Sequence, residues 1–191
     1  MWAGFGRLEH QMMTQTQTRT AGKPPATVLA PTVKQDARAG KYLTFHLGKE
    51  EFGIQVVHVR EIIGVQDITA VPGTPGHLKG VINLRGKIIP VVDLRLKFNF
   101  PLATFTETTC IIVVQVNQDG DAAMIGLIVD GVSEVLNLNG ADIDDAPDFG
   151  EGVDTPFVLG IAKCKGSVKI LLKIEDVLTL QELRGLETVI Q

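Results

Sequence analysis

An imperfect internal repeat is the feature that most constrains the fold of this chain. The stretch G-V-I-N-L-R-G-K-I-I-P-V-V-D-L at residues 80–94 returns in degraded form as G-I-A-K-C-K-G-S-V-K-I-L-L-K-I at residues 160–174. Each copy has a glycine first, a basic residue sixth and a second glycine seventh, followed by an apolar run. This repetition indicates an architecture of two similar halves, which typically works through its surfaces.

A second pair of blocks repeats in the same order along the chain. F-G-I-Q-V-V-H-V-R-E-I-I-G at residues 52–64 aligns with I-G-L-I-V-D-G-V-S-E-V-L-N at residues 125–137. The alignment pairs Gly53 with Gly126, Val59 with Val132, Glu61 with Glu134 and Ile62 with Val135. The offsets are 73 residues for this block and 80 for the other. The sequence therefore predicts a duplicated fold whose halves differ by insertions.

From residue 41 onward the pattern predicts a mainly β fold. K-Y-L-T-F-H-L at residues 41–47 alternates, with Leu43, Phe45 and Leu47 on one face, as in a half-buried strand. Further strands are predicted at residues 50–54, 78–84, 87–92, 109–116, 123–129, 158–163 and 168–173, with a short helix at 56–63 and a terminal amphipathic helix at 175–186. Short strands between Gly and Pro turns need closure to protect their edges, so two small antiparallel barrels are predicted.

Residues 1–39 differ in composition from the rest of the chain. They are polar, rich in Thr, Gln and Pro, and carry five basic and two acidic residues. Such a segment buries too little apolar surface to offset the entropy of ordering it, which predicts a disordered tail. A docking segment is the alternative, and Met12 or Met13 offers an alternative start.

Charge and hydropathy narrow the class of partner. The net charge is −4, and an acidic balance disfavours binding to nucleic acid or to an anionic membrane. A protein partner with a basic patch is compatible with this negative charge. Because no apolar run reaches the ~18 residues of a membrane span and no cleavable leader is recognisable, a cytoplasmic protein is expected.

The sequence offers no constellation of catalytic residues. Phosphate-binding, dinucleotide-binding, zinc-protease and serine-hydrolase motifs are all missing, so neither an enzyme nor a cofactor is expected. The acidic stretch at residues 142–154 resembles a calcium loop in composition, yet Ala146 and Pro147 stand where a ligand and a glycine are needed. The competing hypothesis is a barrel that binds a ligand or metal, with this stretch, from Asp142 to Asp154, as its lid.

The turn at residues 83–87 is the remaining candidate for function. Gly86 is expected to supply the positive φ of a tight hairpin. Arg85 is interpreted either as a guanidinium offered to a partner's carboxylate or carbonyl, or as a solvated turn charge. Glu61, beside Val59 and Ile62, is likewise either an exposed helix charge or the rim of a binding groove.

Two longer motifs run through the first half of the predicted fold. F-x-L-G-x-E-x-x-G-I-x-V-x-x-V-x-E-I, followed by P-G-x-P-x-x-x-x-G-V-I-N-L-R-G-x-I-I-P-V-V-D-L-R, spans residues 45–95. This combination resembles the CheW chemotaxis coupling proteins. G-L-I-V-D-G-V-S-E-V-L at residues 126–136 and I-L-L-K-I-E-D-V-L at residues 170–178 are similar to the second half of that family. The resemblance covers nearly all of the predicted folded part and leaves the tail out.

This resemblance implies both a fold and a function. The fold is two intertwined five-stranded SH3-like β-barrels with short helices and a C-terminal helix, in a CheW-like domain at residues 40–186 whose halves, at about 41–105 and 106–174, exchange strands. The function is a non-catalytic adaptor that couples the cytoplasmic tips of chemoreceptors to a CheA-type histidine kinase at membrane-associated receptor arrays. No residue is assigned to the kinase-facing surface. The residues that match the receptor-binding pattern or flank it are Val59, Glu61, Ile62, Lys79, Gly80, Arg85 and Gly86.

Overall fold

Eleven β-strands and little helix make up the described part of the chain. The computed structural model describes residues 37–118, 121–147, 155–164, 166–178 and 182. The strands are β1 (Gly40–Leu47), β2 (Glu50–Gln55), β3 (Val59–Gly64), β4 (Leu78–Leu84), β5 (Lys87–Asp93), β6 (Cys110–Gln118), β7 (Asp121–Val129), β8 (Gly131–Leu138), β9 (Ile143–Asp144), β10 (Val158–Cys164) and β11 (Ser167–Leu172). The helical elements are α1 (Leu94–Lys97) and 3-10 turns at Val56–His58, Gly140–Asp142 and Ile174–Asp176. None of these helices is long and apolar enough to cross a membrane.

The strands form two sheets with the same internal order. Sheet 1 runs β8-β1-β2-β11-β10-β9, and sheet 2 runs β3-β6-β7-β5-β4. Sheet 1 combines the first two strands of the chain order with the last four, whereas sheet 2 is the contiguous run from β3 to β7. The repeat makes β8, β1, β2, β11 and β10 the counterparts of β3, β6, β7, β5 and β4, so only β9 is an addition. The predicted mainly β fold of two small SH3-like barrels is confirmed, although neither sheet closes on itself within the described ranges. The boundaries of the two halves stay a prediction.

Irregularities in strand pairing occur at corresponding places in both sheets. Sheet 1 shifts register between Leu43 and Phe45, where β1 meets β8. Sheet 2 shifts where β6 meets β3, between Val59 and Glu61. The hairpins β4–β5 and β10–β11 each shift again next to a glycine, Gly80 in the first and Gly160 in the second. Bulges of this kind bend a strand and increase its twist, which curls each sheet toward a barrel.

Three apolar cores hold the sheets together. Alternate residues of β6 serve two of them: Ile112 and Val114 face the central core between the sheets, whereas Ile111 and Val113 face a core on the far side of sheet 2. The central core takes residues from both sheets. The core of sheet 2 contains Ile82, Ile89, Val91, Ile111, Val113 and Ile128. The core of sheet 1 contains Tyr42, Leu138, Ile143, Ala162 and Leu171.

The predicted half-buried character of β1 is wrong. Tyr42 and Thr44 are 0% exposed, although both lie on the face that the alternation assigned to solvent. The strand lies between β8 and β2 and has a core on each face. Thr44 fits because its hydroxyl donates to the Glu134 carbonyl (2.8 Å) and accepts from the Glu134 amide (3.1 Å). A buried hydroxyl with both partners carries little desolvation penalty.

The short helix predicted at residues 56–63 is also wrong. Only the 3-10 turn Val56–His58 forms, and the chain continues as β3, whose residues alternate between half-buried and exposed. β-branched side chains favour this strand because it leaves their restricted χ1 angles unstrained. The terminal helix predicted at residues 175–186 falls mostly outside the described residues, as does the predicted tail.

The hairpin predicted at residues 83–87 is confirmed, and the position of Pro90 within it has a physical explanation. β1–β2 turns at Gly48 and β4–β5 turns at Arg85 and Gly86. A proline cannot donate to a strand ladder, so its usual place in a sheet is an edge, a bulge or a bend. It lies within β5, immediately before Val91, where the parallel ladder with β7 begins. That ladder therefore requires no N–H from the proline.

Candidate partner-binding surface

A two-residue turn presents Arg85 at the end of the β4–β5 hairpin. Leu84 pairs with Lys87, so Arg85 and Gly86 alone connect the strands. Their φ angles are +53° and +86°, both positive, as a type I′ turn requires. Such a φ is uncommon for a residue other than glycine, asparagine or aspartate. The Arg85 side chain is 80% exposed, so the turn holds a guanidinium outward on a rigid backbone.

The side chain of Asn83 closes this turn. Its Oδ1 accepts a hydrogen bond from the Gly86 amide at 2.8 Å. Asparagine commonly satisfies a backbone N–H a few residues further on in this way. Asn83 is not among the site residues predicted from the sequence, although its place three residues before a turn glycine is a signal of this role.

Arg85 and Glu61, which are predicted separately, form one ion pair. Arg85 Nη2 lies 2.8 Å from Glu61 Oε2. Glu61 belongs to β3 and Arg85 follows β4, and these are the two edge strands of sheet 2. The pair therefore ties the opposite edges of the curled sheet. An exposed pair of this kind contributes at most about 1 kcal/mol, so a partner's charged group can compete for either side chain.

The other predicted residues occupy three different environments. Ile62 is 45% exposed on β3, next to Glu61. Val59 packs against the central core instead. Lys79 is partly exposed at the register shift near the start of β4, and Gly80 beside it is buried. These two residues lie at the opposite end of β4 from the Arg85 turn, so the seven residues do not form one compact cluster.

Exposed aliphatic side chains recur at repeat-related positions on both sheets. On sheet 2, Ile62 and Ile88 are 45% and 42% exposed. Their counterparts on sheet 1, Val135 and Val168, are 54% and 58% exposed. Of these four residues, only Ile62 is among the site residues predicted from the sequence. Apolar groups bordered by charges such as Glu61 and Arg85 are the usual composition of a protein–protein interface.

Comparison with known proteins places the chain in a family. The family model described as the CheW-like domain matches residues 41–182. The chain belongs to the CheW-like family. It is similar to the chemotaxis protein CheW of Klebsiella aerogenes, with 38% identity over 149 residues that cover 78% of this chain and 87% of the relative. The chemotaxis protein CheW of Rhizobium meliloti is 33% identical over 140 residues, which cover 73% of this chain and 88% of the relative.

A solved structure of the CheW family shares the fold. The crystal structure of the scaffolding protein TtCheW from Thermoanaerobacter tengcongensis matches with a TM-score of 0.65 and 35% sequence identity. The match covers 75% of this chain and 95% of that protein.

Both ends of the CheW-like region are fastened to the domain. Just before β1, the Arg38 carbonyl accepts a hydrogen bond from the Tyr42 hydroxyl at 2.6 Å. At the other end, Lys97 Nζ donates to both carboxylate oxygens of Glu182, at 2.7 and 2.8 Å. Because the Lys97 and Glu182 side chains are only 15% and 13% exposed, this pair is held more firmly than a surface ion pair.

The acidic stretch that suggested a metal-binding lid is only partly described. Within the CheW-like domain, Asp142 Oδ2 accepts from the Asn139 amide at 2.8 Å and caps a 3-10 turn. Asp144 pairs with Lys163 at 2.5 Å, and Asp145 pairs with Arg38 at 2.7 Å. Residues 148–154 lie outside the described ranges. Within those ranges no group of three or more His, Cys, Asp or Glu side chains is placed to hold a metal ion.

Proposed function

We propose that this CheW-like chain is a non-catalytic scaffold of bacterial chemosensory signalling that couples the cytoplasmic tips of methyl-accepting chemoreceptors to a CheA-type histidine kinase. The observation that carries the proposal is the exposed Arg85 guanidinium on its rigid turn, beside Glu61 and the exposed Ile62. Family membership supports it, because the relatives described above are named chemotaxis proteins and a scaffolding protein. The chain acts in the cytoplasm and joins the membrane-associated array through its partners.

The mechanism is structural. A receptor tip presents a helical surface, to which Ile62 contributes apolar contact and Arg85 a planar fork of N–H donors suited to a carboxylate or carbonyl. Because the turn is already rigid, little conformational entropy is lost when the partner binds. The kinase binds elsewhere on the domain, on a surface to which no residue is assigned. No cofactor takes part and no substrate is turned over.

Reversing the charge of Arg85 is expected to weaken receptor binding strongly. In Arg85→Glu a carboxylate replaces the guanidinium and faces Glu61, so the donor is lost and two like charges meet. We expect the dissociation constant for a receptor-tip fragment to rise by at least about tenfold. The measurement is titration calorimetry with a soluble fragment of a chemoreceptor tip from the same organism, with circular dichroism to verify folding.

Arg85→Asn is the matched control for the turn. Asparagine tolerates positive φ and favours type I′ turns, so this variant keeps the hairpin and removes only the guanidinium. It is expected to fold at least as well as the wild type and to lose receptor binding similarly. If both variants bind like the wild type, Arg85 is not a receptor contact. If the wild type binds neither the receptor fragment nor the kinase, the scaffold proposal itself fails.

A further inference from the structure

Asn83 is an exposed polar residue whose only described side-chain contact is made to the turn that carries Arg85. We propose that Asn83 is a positioning residue for receptor recognition: its carboxamide holds the Arg85–Gly86 turn in the conformation that presents the guanidinium. This inference rests on the proposed function, because it assigns Asn83 an effect on binding through Arg85.

The backbone of the turn explains why Arg85 needs such support. At a φ of +53° the Cβ of an L-residue approaches its own backbone, and arginine lacks the short polar side chain that lets asparagine compensate locally. Gly86 tolerates its φ of +86° without strain. The turn is therefore strained at Arg85 and must be stabilised by its neighbours.

The hydrogen bond from the Gly86 amide to Asn83 supplies that stabilisation within the turn itself. The 2.8 Å bond from the Gly86 amide to Asn83 Oδ1 fixes the peptide that joins Arg85 to Gly86. Other two-residue turn types require a different orientation of the peptides in the turn, so they would break this bond. The bond thus favours the one backbone conformation in which Arg85 Nη2 lies 2.8 Å from Glu61 Oε2. Releasing it lets Arg85 populate other orientations.

A role limited to general stability is distinguishable from a role in positioning. Asn83 is exposed and belongs to none of the three cores, so its truncation leaves no cavity. A positioning residue acts only while Arg85 is present. A residue that contacts the receptor directly, or that stabilises the domain as a whole, acts equally well without Arg85.

A double-mutant cycle in receptor binding separates these roles. The four proteins are the wild type, Asn83→Ala, Arg85→Ala and the double variant, each titrated with the same receptor-tip fragment. We expect Asn83→Ala to weaken binding about threefold to tenfold, the range of one lost hydrogen bond, and to add nothing in the Arg85→Ala background. Asn83→Ser, whose hydroxyl can accept from the same amide, is expected to restore part of the affinity.

Amide hydrogen exchange provides a readout that needs no partner. The Gly86 amide should exchange faster in Asn83→Ala than in the wild type, whereas amides of the central core, such as those of β6, should be unchanged. Wild-type affinity of Asn83→Ala, or equal weakening with and without Arg85, overturns the inference and leaves the scaffold proposal standing. A wild-type protein that does not bind the receptor fragment overturns both.

Discussion

Replacing Glu51 alone with methionine is expected to lower the free energy of unfolding by about 3–5 kcal/mol. The parallel register of β2 and β11 places Glu51 opposite Lys169, with Lys169 Nζ 2.5 Å from Glu51 Oε2. The Lys169 side chain is only 4% exposed, whereas that of Glu51 is 30% exposed, so the ammonium is the buried member of the pair. Removing the carboxylate leaves an ammonium group that is buried and unpaired, which is far more costly than the loss of an ion pair at the surface.

The duplication supplies the compensating change for this variant. With offsets of 73 and 80 residues, Met124 is the counterpart of Glu51 and Ile89 is the counterpart of Lys169. Ile89 belongs to the core of sheet 2, and Met124 packs against it. Glu51→Met combined with Lys169→Ile therefore gives sheet 1 the apolar pair that sheet 2 already has. Because apolar pairs often replace buried ion pairs without loss, we expect the double variant to regain at least most of the wild-type stability.

Urea unfolding followed by far-ultraviolet circular dichroism measures these differences. The only tryptophan is Trp2, in the predicted tail, so tryptophan fluorescence is a poor probe of the core. Asp144→Asn is the matched control, because it breaks an exposed ion pair. The Asp144 side chain is 54% exposed and that of its partner Lys163 is 72% exposed. This variant should lower the free energy of unfolding by at most about 1 kcal/mol. A similarly small effect of Glu51→Met would mean that Lys169 stays solvated without its partner.

Elements fixed by local signals were predictable from the sequence. The β4–β5 hairpin follows from two apolar runs separated by Arg85 and Gly86, since a turn glycine between such runs indicates a two-residue loop. The sheets follow from the density of short alternating runs and from the repeat. The signal for the hairpin lies within about ten residues of sequence. The signal for the sheets lies in such short runs and in the similarity between the two halves of the chain.

Elements that depend on tertiary context were missed. Val56, Val59 and Ile63 have near-helical spacing, but over eight residues that spacing cannot be separated from the strand that β3 forms. Tyr42 and Thr44 look solvent-facing because they are buried by neighbours distant in sequence, such as β8 and the core of sheet 1. The contact between Arg85 and Glu61 depends on sheet curl, which no local pattern encodes. The resemblance to the CheW family names candidate site residues, but it does not say which of them are in contact.

Replacing Gly80 with alanine is expected to lower the free energy of unfolding by about 2–4 kcal/mol. A Cβ at this position would lie 2.0 Å from the Thr69 carbonyl oxygen, and the φ of +137° disfavours any side chain. Thr69 exchanges two backbone hydrogen bonds with Val81, both of 2.9 Å. The added methyl must push this segment away, so the backbone strain and the loss of the two bonds act together.

Gly76→Ala is the matched control for this effect. Nothing lies within 4 Å of a Cβ at Gly76, and the φ of Gly76 is outside the strained range. The free energy of unfolding of Gly76→Ala should therefore stay within about 0.5 kcal/mol of the wild-type value. Urea midpoints for the two variants provide the comparison, and a Gly80→Ala protein as stable as Gly76→Ala would contradict the predicted clash. The expected result also bears on function. Gly80 is buried against Thr69, so weak receptor binding by a Gly80 variant would reflect a displaced β4 edge rather than a lost contact, whereas Arg85→Asn reports on the contact itself.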